Sequence, residues 1–345
     1  MLLKRNDKSQ GFRFICLMCI LSLALITLIG CGGGGDDGGG AVPITYTGLT
    51  TLADVTDTNA QVLAAGAFNG GRTSSALSGL GAVETASDEN TVSFRTLEVT
   101  LSLEQALLQV DLSSVSGGPL IGATQTESGS FEGPCGGSAS YSIQVDDQTG
   151  VFSGSFSFNS YCDGGVILSG SANFSGAVDL SDPNNPTFET IKFTFTNLSD
   201  GSSTLDGTIE IDPSGSPVIM TIGVKLKDNS TGKVYWVQNY TMEMTDGSDV
   251  GGYYVEVEIS SGKYYDPDYG YVTVLTDPIA PFKIYASDQW PSSGVLIVTG
   301  KIGAGGNNTR ARLEALDANT CQITADTNGD LVYDYDSGVL NWIDL

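Results

Sequence analysis

Phe152-Ser-Gly-Ser-Phe-Ser-Phe158 is the stretch on which the fold turns. Phe152, Gly154, Phe156 and Phe158 share one face of an extended chain, and Ser153, Ser155 and Ser157 share the other, which is the period of two that a half-buried strand requires. The pattern continues outward. Val166, Leu168, Gly170, Ala172 and Phe174 oppose Ile167, Ser169, Ser171 and Asn173, and then Ile191, Phe193 and Phe195 oppose Lys192, Thr194 and Thr196. Further alternating runs occupy 204–211, 218–227, 234–244, 253–259, 271–276, 282–285, 295–300 and 311–315, some separated by turn sequences such as Asp182–Pro186 and Asp212–Gly215. Strands in sequence order, joined by short polar turns, predict a mainly β protein built as a curved antiparallel meander with one wet and one dry face. The dry face must be covered, either by closing the sheet into a barrel-like or sandwich form or by packing one or two N-terminal helices on it. Gly154, Gly170, Gly176 and Gly207 on that face predict strong curvature or close approach of a helix.

Upstream of residue 135 the pattern changes. Asp57-Thr58-Asn59 can cap a short helix over Ala60–Phe68, stopped by Gly70-Gly71. Leu103, Ala106, Leu107 and Val110 form a helical stripe, which favours a second helix over Leu101–Val110. Ser113–Pro134 is rich in Ser, Gly and Thr and reads as a linker or long loop. The expected organisation is a signal at 1–30, a tether at 31–45, a partly helical region with linker at 46–134 and a β domain at 135–345.

The first thirteen residues carry Lys4, Arg5, Lys8 and Arg13 against Asp7, and an apolar run from Phe14 to Ile29 follows. A basic segment followed by an apolar one is a secretory signal, shorter than the ~20 residues of a spanning helix. It ends in Leu28-Ile29-Gly30-Cys31 and continues into the glycine-rich Gly32–Gly40. Those four residues resemble the lipobox of bacterial lipoprotein precursors. The resemblance covers about forty residues and implies that Cys31 is acylated and becomes the mature N-terminus, with the chain held at a membrane. Gly32 is not the aspartate that this family associates with inner-membrane retention, so the resemblance implies an outer-membrane address, facing the periplasm or the cell surface. Gly33, Gly35 and Gly38 fit the spacing of a dinucleotide-binding turn, but the strand and helix which that turn joins are missing from the pattern.

Composition narrows the functional classes. Without residues 1–30 the chain keeps 11 basic and 39 acidic side chains, a formal charge of −28. Such a surface repels nucleic acid. The absence of histidine removes His-based triads, H-E-x-x-H zinc sites and the commonest general base, so a non-enzymatic role is expected. A transmembrane β-barrel alternates in the same way, but outer-membrane barrels are not normally lipidated at such a junction.

Several residues are candidates for specific roles. In an oxidising compartment Cys135 and Cys162, which flank a pair of strands, can form a disulfide, leaving Cys321 as a free buried thiol. Asp326, Asn328, Asp330 and Asp334 supply hard oxygens like the start of a calcium loop, making calcium the one cofactor to consider. Position six of that pattern is Leu331 and position twelve is Ser337, so a hairpin turning at Asn328-Gly329, between strands 322–326 and 330–335, is the stronger expectation. Tyr264, Tyr265, Tyr269 and Tyr271 surround Asp266-Pro267-Asp268, a composition that suits a carbohydrate- or protein-binding surface or a turn with cross-strand tyrosine pairs. Glu256 and Glu258, with Glu243 and Asp246, are the carboxylates a glycan-processing enzyme would need, although Val255–Ile259 places the two glutamates on the wet face of a strand. The function expected is a membrane-anchored structural or interaction module, its partner an envelope protein or glycan. The alternative is a carrier of an apolar ligand between sheet and helices.

Overall fold

A computed structural model describes residues 42–75, 124–146, 148–163, 166–179 and 187–345. It contains one antiparallel sheet of fifteen strands: β1 (Thr124–Glu132), β2 (Ser138–Asp146), β3 (Val151–Asp163), β4 (Val166–Asp179), β5 (Thr187–Ser199), β6 (Ser203–Asp212), β7 (Val218–Asp228), β8 (Val234–Asp249), β9 (Gly252–Asp266), β10 (Gly270–Thr276), β11 (Phe282–Tyr285), β12 (Gly294–Ile302), β13 (Asn308–Ala315), β14 (Thr320–Asp326) and β15 (Tyr335–Asn341). The strands pair in sequence order, except that β11 leaves the path to pair with β9 and β12 takes its place beside β10. The expected meander is present, but it stays open, with β1 and β15 at its edges.

Three local expectations change. β1 lies inside the stretch that reads as a linker: Thr-Gln-Thr-Glu-Ser-Gly-Ser has few apolar side chains, and its full pairing with β2 makes it a strand. Helix α1 runs Ala60–Ser75, straight through Gly70-Gly71. A Cβ at Gly70 would lie 2.7 Å from Val237 Cγ2, so this glycine serves contact with the sheet rather than a helix stop. The loop between β14 and β15 runs from Thr327 to Asp334, and β15 begins at Tyr335, so residues 330–334 are not strand. The stretch Leu101–Val110 and the turn Asp182–Pro186 lie outside the described residues.

The strict alternation of the sequence conceals a repeated interruption. Ser160 in β3, Asn197 in β5 and Asn239 in β8 have φ of 49°, 49° and 52°, and the pairing register shifts around each of them. These are β-bulges, where one extra residue bends the strand and switches which parity faces inward. Thus Phe156 and Phe158 are buried before the first bulge and Tyr161 after it; Phe193 and Phe195 give way to Leu198, and Val237 to Tyr240. Glycine stands opposite because a side chain would not fit: at Gly170 (φ 114°) a Cβ would meet the Asn197 carbonyl, and at Gly207 (φ 136°) the Gly223 carbonyl. The residue before each glycine holds the bulge. Ser160 N–H donates to Ser169 Oγ at 3.3 Å, and Asn197 N–H to Asp206 Oδ1 at 2.5 Å. This is one unit used twice, because Phe156–Phe174 aligns without gaps on Phe193–Ile211, sharing Phe156/Phe193, Phe158/Phe195, Leu168/Leu205 and Gly170/Gly207.

α1 covers the inner face of β8, β9 and β12–β14. Leu63, Ala64 and Ala67 are fully buried, and Tyr240 Oη donates to the Ala67 carbonyl at 3.2 Å. Phe68 stacks on Trp342 with centroids 4.7 Å apart and meets Phe282 edge-on at 5.3 Å, tying the helix to the C-terminal 3-10 turn Trp342–Asp344. Gly154 and Gly176 serve the sheet itself: Phe174 lies over the first and Phe152 over the second, each directly across a strand pair.

Residues 42–55 form a strap across the end of the sheet that carries the β5–β6, β7–β8, β9–β10 and β12–β13 turns. Asn197 Nδ2 donates to the Val42 carbonyl at 3.1 Å, and the Ile44 N–H donates to Asp206. Lys225 Nζ reaches the Ile44 carbonyl at 3.1 Å, and Leu49 N–H donates to the Pro267 carbonyl at 3.2 Å. Ala53 then bonds to Tyr271 and Lys301, and Val55 N–H reaches Thr309 Oγ1 before α1 begins. At that junction Asn59 accepts from Thr56 N–H at 2.8 Å and its carbonyl takes the first helical bond from Leu63.

Candidate functional site

The outer face of β1–β6 is a grid of short neutral side chains, and register puts them in rows. Ser128, Ser142, Ser155, Asn173, Thr194 and Thr208 stand side by side across six strands. Ser130, Ser140, Ser157, Ser171 and Thr196 form a second row, and Thr126, Gln144, Ser153 and Ser175 a third. Neighbours within a row are about 4.5–5.5 Å apart at Cβ and rows are about 6.6–6.8 Å apart, the spacings of the sheet itself. The third row ends in the Lys192–Glu210 ion pair (3.4 Å), which neutralises the first charges met. A groove of about 410 Å³ crosses this face, lined by the polar side chains of Ser142, Gln144, Ser153, Ser155, Asn173, Ser175 and Thr194, with Gly154 and Phe174 between them. Each hydroxyl offers one donor and two lone pairs, and each amide both kinds of group. None of the seven uses its side chain in a hydrogen bond to a described residue, so a ligand meets donors and acceptors at regular intervals and no charge. These rows come from pairing partners far apart in sequence, so the sequence signal is only that serine and threonine are the commonest residues at the outward positions of these strands while the chain as a whole is strongly acidic.

The tyrosine candidates separate. Tyr264 points inward and is buried under α1 at Gly66, whereas Tyr269 sits exposed in the β9–β10 turn. Tyr265 and Tyr271 are directly opposed, as cross-strand pairing suggests, and Trp236 and Tyr46 join them. Trp236 stacks on Tyr265 at 4.6 Å, Tyr271 lies 5.0 Å beyond, and Tyr46 closes on both Trp236 (5.9 Å) and Tyr265 (5.6 Å). Lys225 covers Trp236 and Lys263 covers Tyr271 at 5.6 and 4.9 Å. Trp236 and Tyr265 stack, Tyr46 meets Tyr265 edge-on, and the two ammonium groups lie over Trp236 and Tyr271, so this cluster chiefly clamps the strap to the sheet. Tyr46 confirms the direction, because its hydroxyl bonds to the Leu49 and Asp266 carbonyls, and burial pushes its titration well above the ordinary tyrosine range.

The acidic loop is organised around its own backbone. Asp326 is fully buried, and its carboxylate accepts from the N–H groups of Gly329 (2.7 Å), Asp330 (3.2 Å) and Leu331 (2.9 Å). Asn328 accepts from Asp330 N–H, Asp330 from Val332 N–H, and Asp334 from Thr327 N–H and Oγ1, bonds that hold the Asp334 carboxyl below the usual range. Among the described residues no group of three or more His, Cys, Asp or Glu side chains is placed to hold a metal ion. Glu243 and Glu258 stand directly opposite on β8 and β9, Glu256 faces Thr245 and Lys283, and Asp246 faces Val255; all lie on open strand surface. Cys135 and Cys162 are bonded, with Cα atoms 5.1 Å apart, and tie the β1–β2 turn to the end of β3. Cys321 is a free buried thiol pushed up to about 12 by desolvation. Cys31 lies outside the described residues. No family model, curated protein or solved structure matches the chain.

Proposed function

We propose that the protein is a lipid-anchored, non-enzymatic binding module of the cell envelope. Its ligand is a neutral, hydroxyl-rich chain, a glycan, lying on the outer face of β2–β5. The observation that carries this reading is the uncharged groove of hydroxyl and amide groups on a chain of net charge −25. A strand face with no binding duty would normally share in the charge, whereas a polyol is met well by regularly spaced neutral donors and acceptors, individually weak and collectively selective. The lipobox-like Leu28–Cys31 supports the anchor. Support for the non-enzymatic part comes from the missing histidine and from carboxylates spread over open strand surface. The direct seating of α1 on β8 and β9 leaves the apolar-carrier alternative without a specific observation in its favour.

Affinity electrophoresis through gels containing neutral or anionic polysaccharides tests the glycan reading. The wild type is expected to be retarded by a neutral polymer, and Ser155→Asp with Asn173→Asp to lose that retardation by placing charge in the groove. Equal retardation of both proteins by the neutral polymer, each measured against its own mobility in a polysaccharide-free gel, would refute it. Mass spectrometry of the mature N-terminus tests the anchor separately.

A further inference from the structure

The groove on the neutral face runs in one direction. Its polar lining comes from two rows only. Ser142, Ser155, Asn173 and Thr194 form one, standing on β2, β3, β4 and β5 in turn. Gln144, Ser153 and Ser175 form the other, on β2, β3 and β4. The row on the far side of the first, which includes Ser157 and Ser171, lines no part of it. Strands about 4.7–4.9 Å apart give four of them a width of roughly 14–15 Å, against roughly 6.6–6.8 Å between the two rows. The groove therefore crosses the strands, and an elongated ligand that fills it lies perpendicular to them.

Neither end of the groove is walled. The first row runs on into Ser128 of β1 on one side and Thr208 of β6 on the other, both neutral. Beyond Ser175 the second row meets Lys192, whose charge is matched by Glu210. A chain longer than the groove can leave it at both ends, so the site suits an internal stretch of a polymer and not a chain terminus. The lining offers no aromatic face for stacking, because Phe174 is buried with its ring turned inward over Gly154. Binding falls to the hydroxyl and amide groups of the two rows, which reach the hydroxyls at the rims of sugar rings rather than their apolar faces.

Spacing selects among neutral polymers. A pyranose ring joined through opposite carbons advances a chain by about its own length, close to one strand interval, so consecutive sugars meet consecutive strands. Such a ribbon carries hydroxyls along both rims, where the two rows stand. A 1,6-linked chain has an extra rotatable bond in every step and falls out of phase with the strands, and a branch on either rim displaces a row contact. Neighbouring strands are rotated by about 20–25°, so the two rows wind around each other, which suits a single dissolved chain and not the flat face of a crystalline fibre.

We infer that the ligand is an extended, unbranched, 1,4-linked neutral polysaccharide, held as an internal segment of about four sugars that crosses β2–β5 with one sugar to each strand. This rests on the glycan reading and adds to it the linkage and the direction of the chain.

The test is calorimetric titration of the full chain, in a detergent without sugar headgroups, with cello- and xylo-oligosaccharides of two to six units and with 1,6-linked isomalto-oligosaccharides of the same lengths. Affinity for at least one 1,4-linked series is expected to rise several-fold with each sugar up to about four and then to level off, with the 1,6-linked series at least tenfold weaker. Two double variants read the direction. Ser142→Ile with Thr194→Ile removes hydroxyls at the two ends of the groove and is expected to weaken binding of the longer oligomers about tenfold or more. Ser157→Ile with Ser171→Ile makes equal changes beside the groove on its two middle strands and is expected to bind like wild type, with urea midpoints showing that both variants fold. Where a neutral polysaccharide retards the wild type in gels, three results overturn the inference and leave the glycan reading standing: the reverse pattern in the two variants, equal binding of 1,4- and 1,6-linked series, or binding of neither. A wild type retarded by no neutral polysaccharide overturns the glycan reading, and this inference with it.

Discussion

Gly66→Ala puts helix propensity and tertiary packing in direct opposition. In a solvated helix the change stabilises by about 0.5–1 kcal/mol, because glycine loses more backbone freedom on folding. Here the new methyl would lie 2.7 Å from Tyr264 Cε1 and closer still to its hydroxyl, and Tyr264 is itself buried in the sheet. The ring cannot swing away as a flexible chain end can, and forcing a methylene into a filled core costs about 1–3 kcal/mol. The expected net effect is therefore a loss of roughly 1–2 kcal/mol, opposite in sign to propensity. Gly71→Ala is the internal control: its methyl meets the terminal Cδ1 of Ile259 at 3.0 Å, an atom able to move, so that variant stays within about 0.5 kcal/mol of wild type or gains slightly. Urea denaturation followed by tryptophan fluorescence reads both, since Trp290 and Trp342 pack beside Phe68 of the same helix. In a double-mutant cycle Tyr264→Leu should remove most of the Gly66→Ala penalty. A stabilised Gly66→Ala protein, or one whose loss is unaffected by Tyr264→Leu, would refute the seating of α1 on β9.

Opening the Cys135–Cys162 bridge by a double Ala replacement should cost about 3.5 kcal/mol from the 27-residue separation in the chain-entropy model, read by calorimetry as a lower Tm; an unchanged Tm would mean that the β1–β3 region gains nothing from closure. Two buried aspartates should respond to pH with opposite signs. Burial tends to raise Asp228, but hydrogen bonds from Thr231 and Ser230 outweigh it and hold the carboxyl low, so its contribution is present at neutral pH and is lost as pH falls through its folded value; Asp228→Asn should be less stable than wild type at pH 7, with the gap closing toward pH 3. Burial raises Asp266, so its contribution is present in acid and lost as pH rises through its folded value. Asp266→Asn should therefore equal or exceed wild type at pH 7 while keeping the acceptor used by Asp268 and Tyr269 N–H. Thermal melts across pH 3–8 check both, and parallel shifts of the two variants would contradict the assigned environments.

Much of the meander was legible because period-two burial is written directly into strands such as Phe152–Phe158, and Asn59 together with the alanine-rich run marked where α1 begins. The failures have specific causes. β1 was missed because a polar strand is recognisable only through its partner, and the end of α1 because Gly70 and Gly71 look like a stop until the sheet beneath them is seen. The bulges at Ser160, Asn197 and Asn239 were hidden because a parity switch inside a strand resembles mere irregularity, although the 19-residue segment Phe156–Phe174, repeated 37 positions on as Phe193–Ile211, contained the clue. Of the candidate sites, the tyrosine run was visible, but Tyr46 and Trp236, which occupy its ring faces, arrive from remote stretches.

Local chemistry sufficed for what local patterns encode: strands with one dry face and turns at Asp and Gly, on a strongly acidic chain whose basic and then apolar first segment precedes Cys31. Tertiary structure alone decided that serine, threonine and amide side chains from six strands stand in rows, that the acids of the β14–β15 loop serve its own N–H groups, and that residues 42–55 lie across one end of the sheet. The physical reason is register. A strand's alternation states which side chains face outward, but only the pairing of each strand with its neighbours states which of them meet.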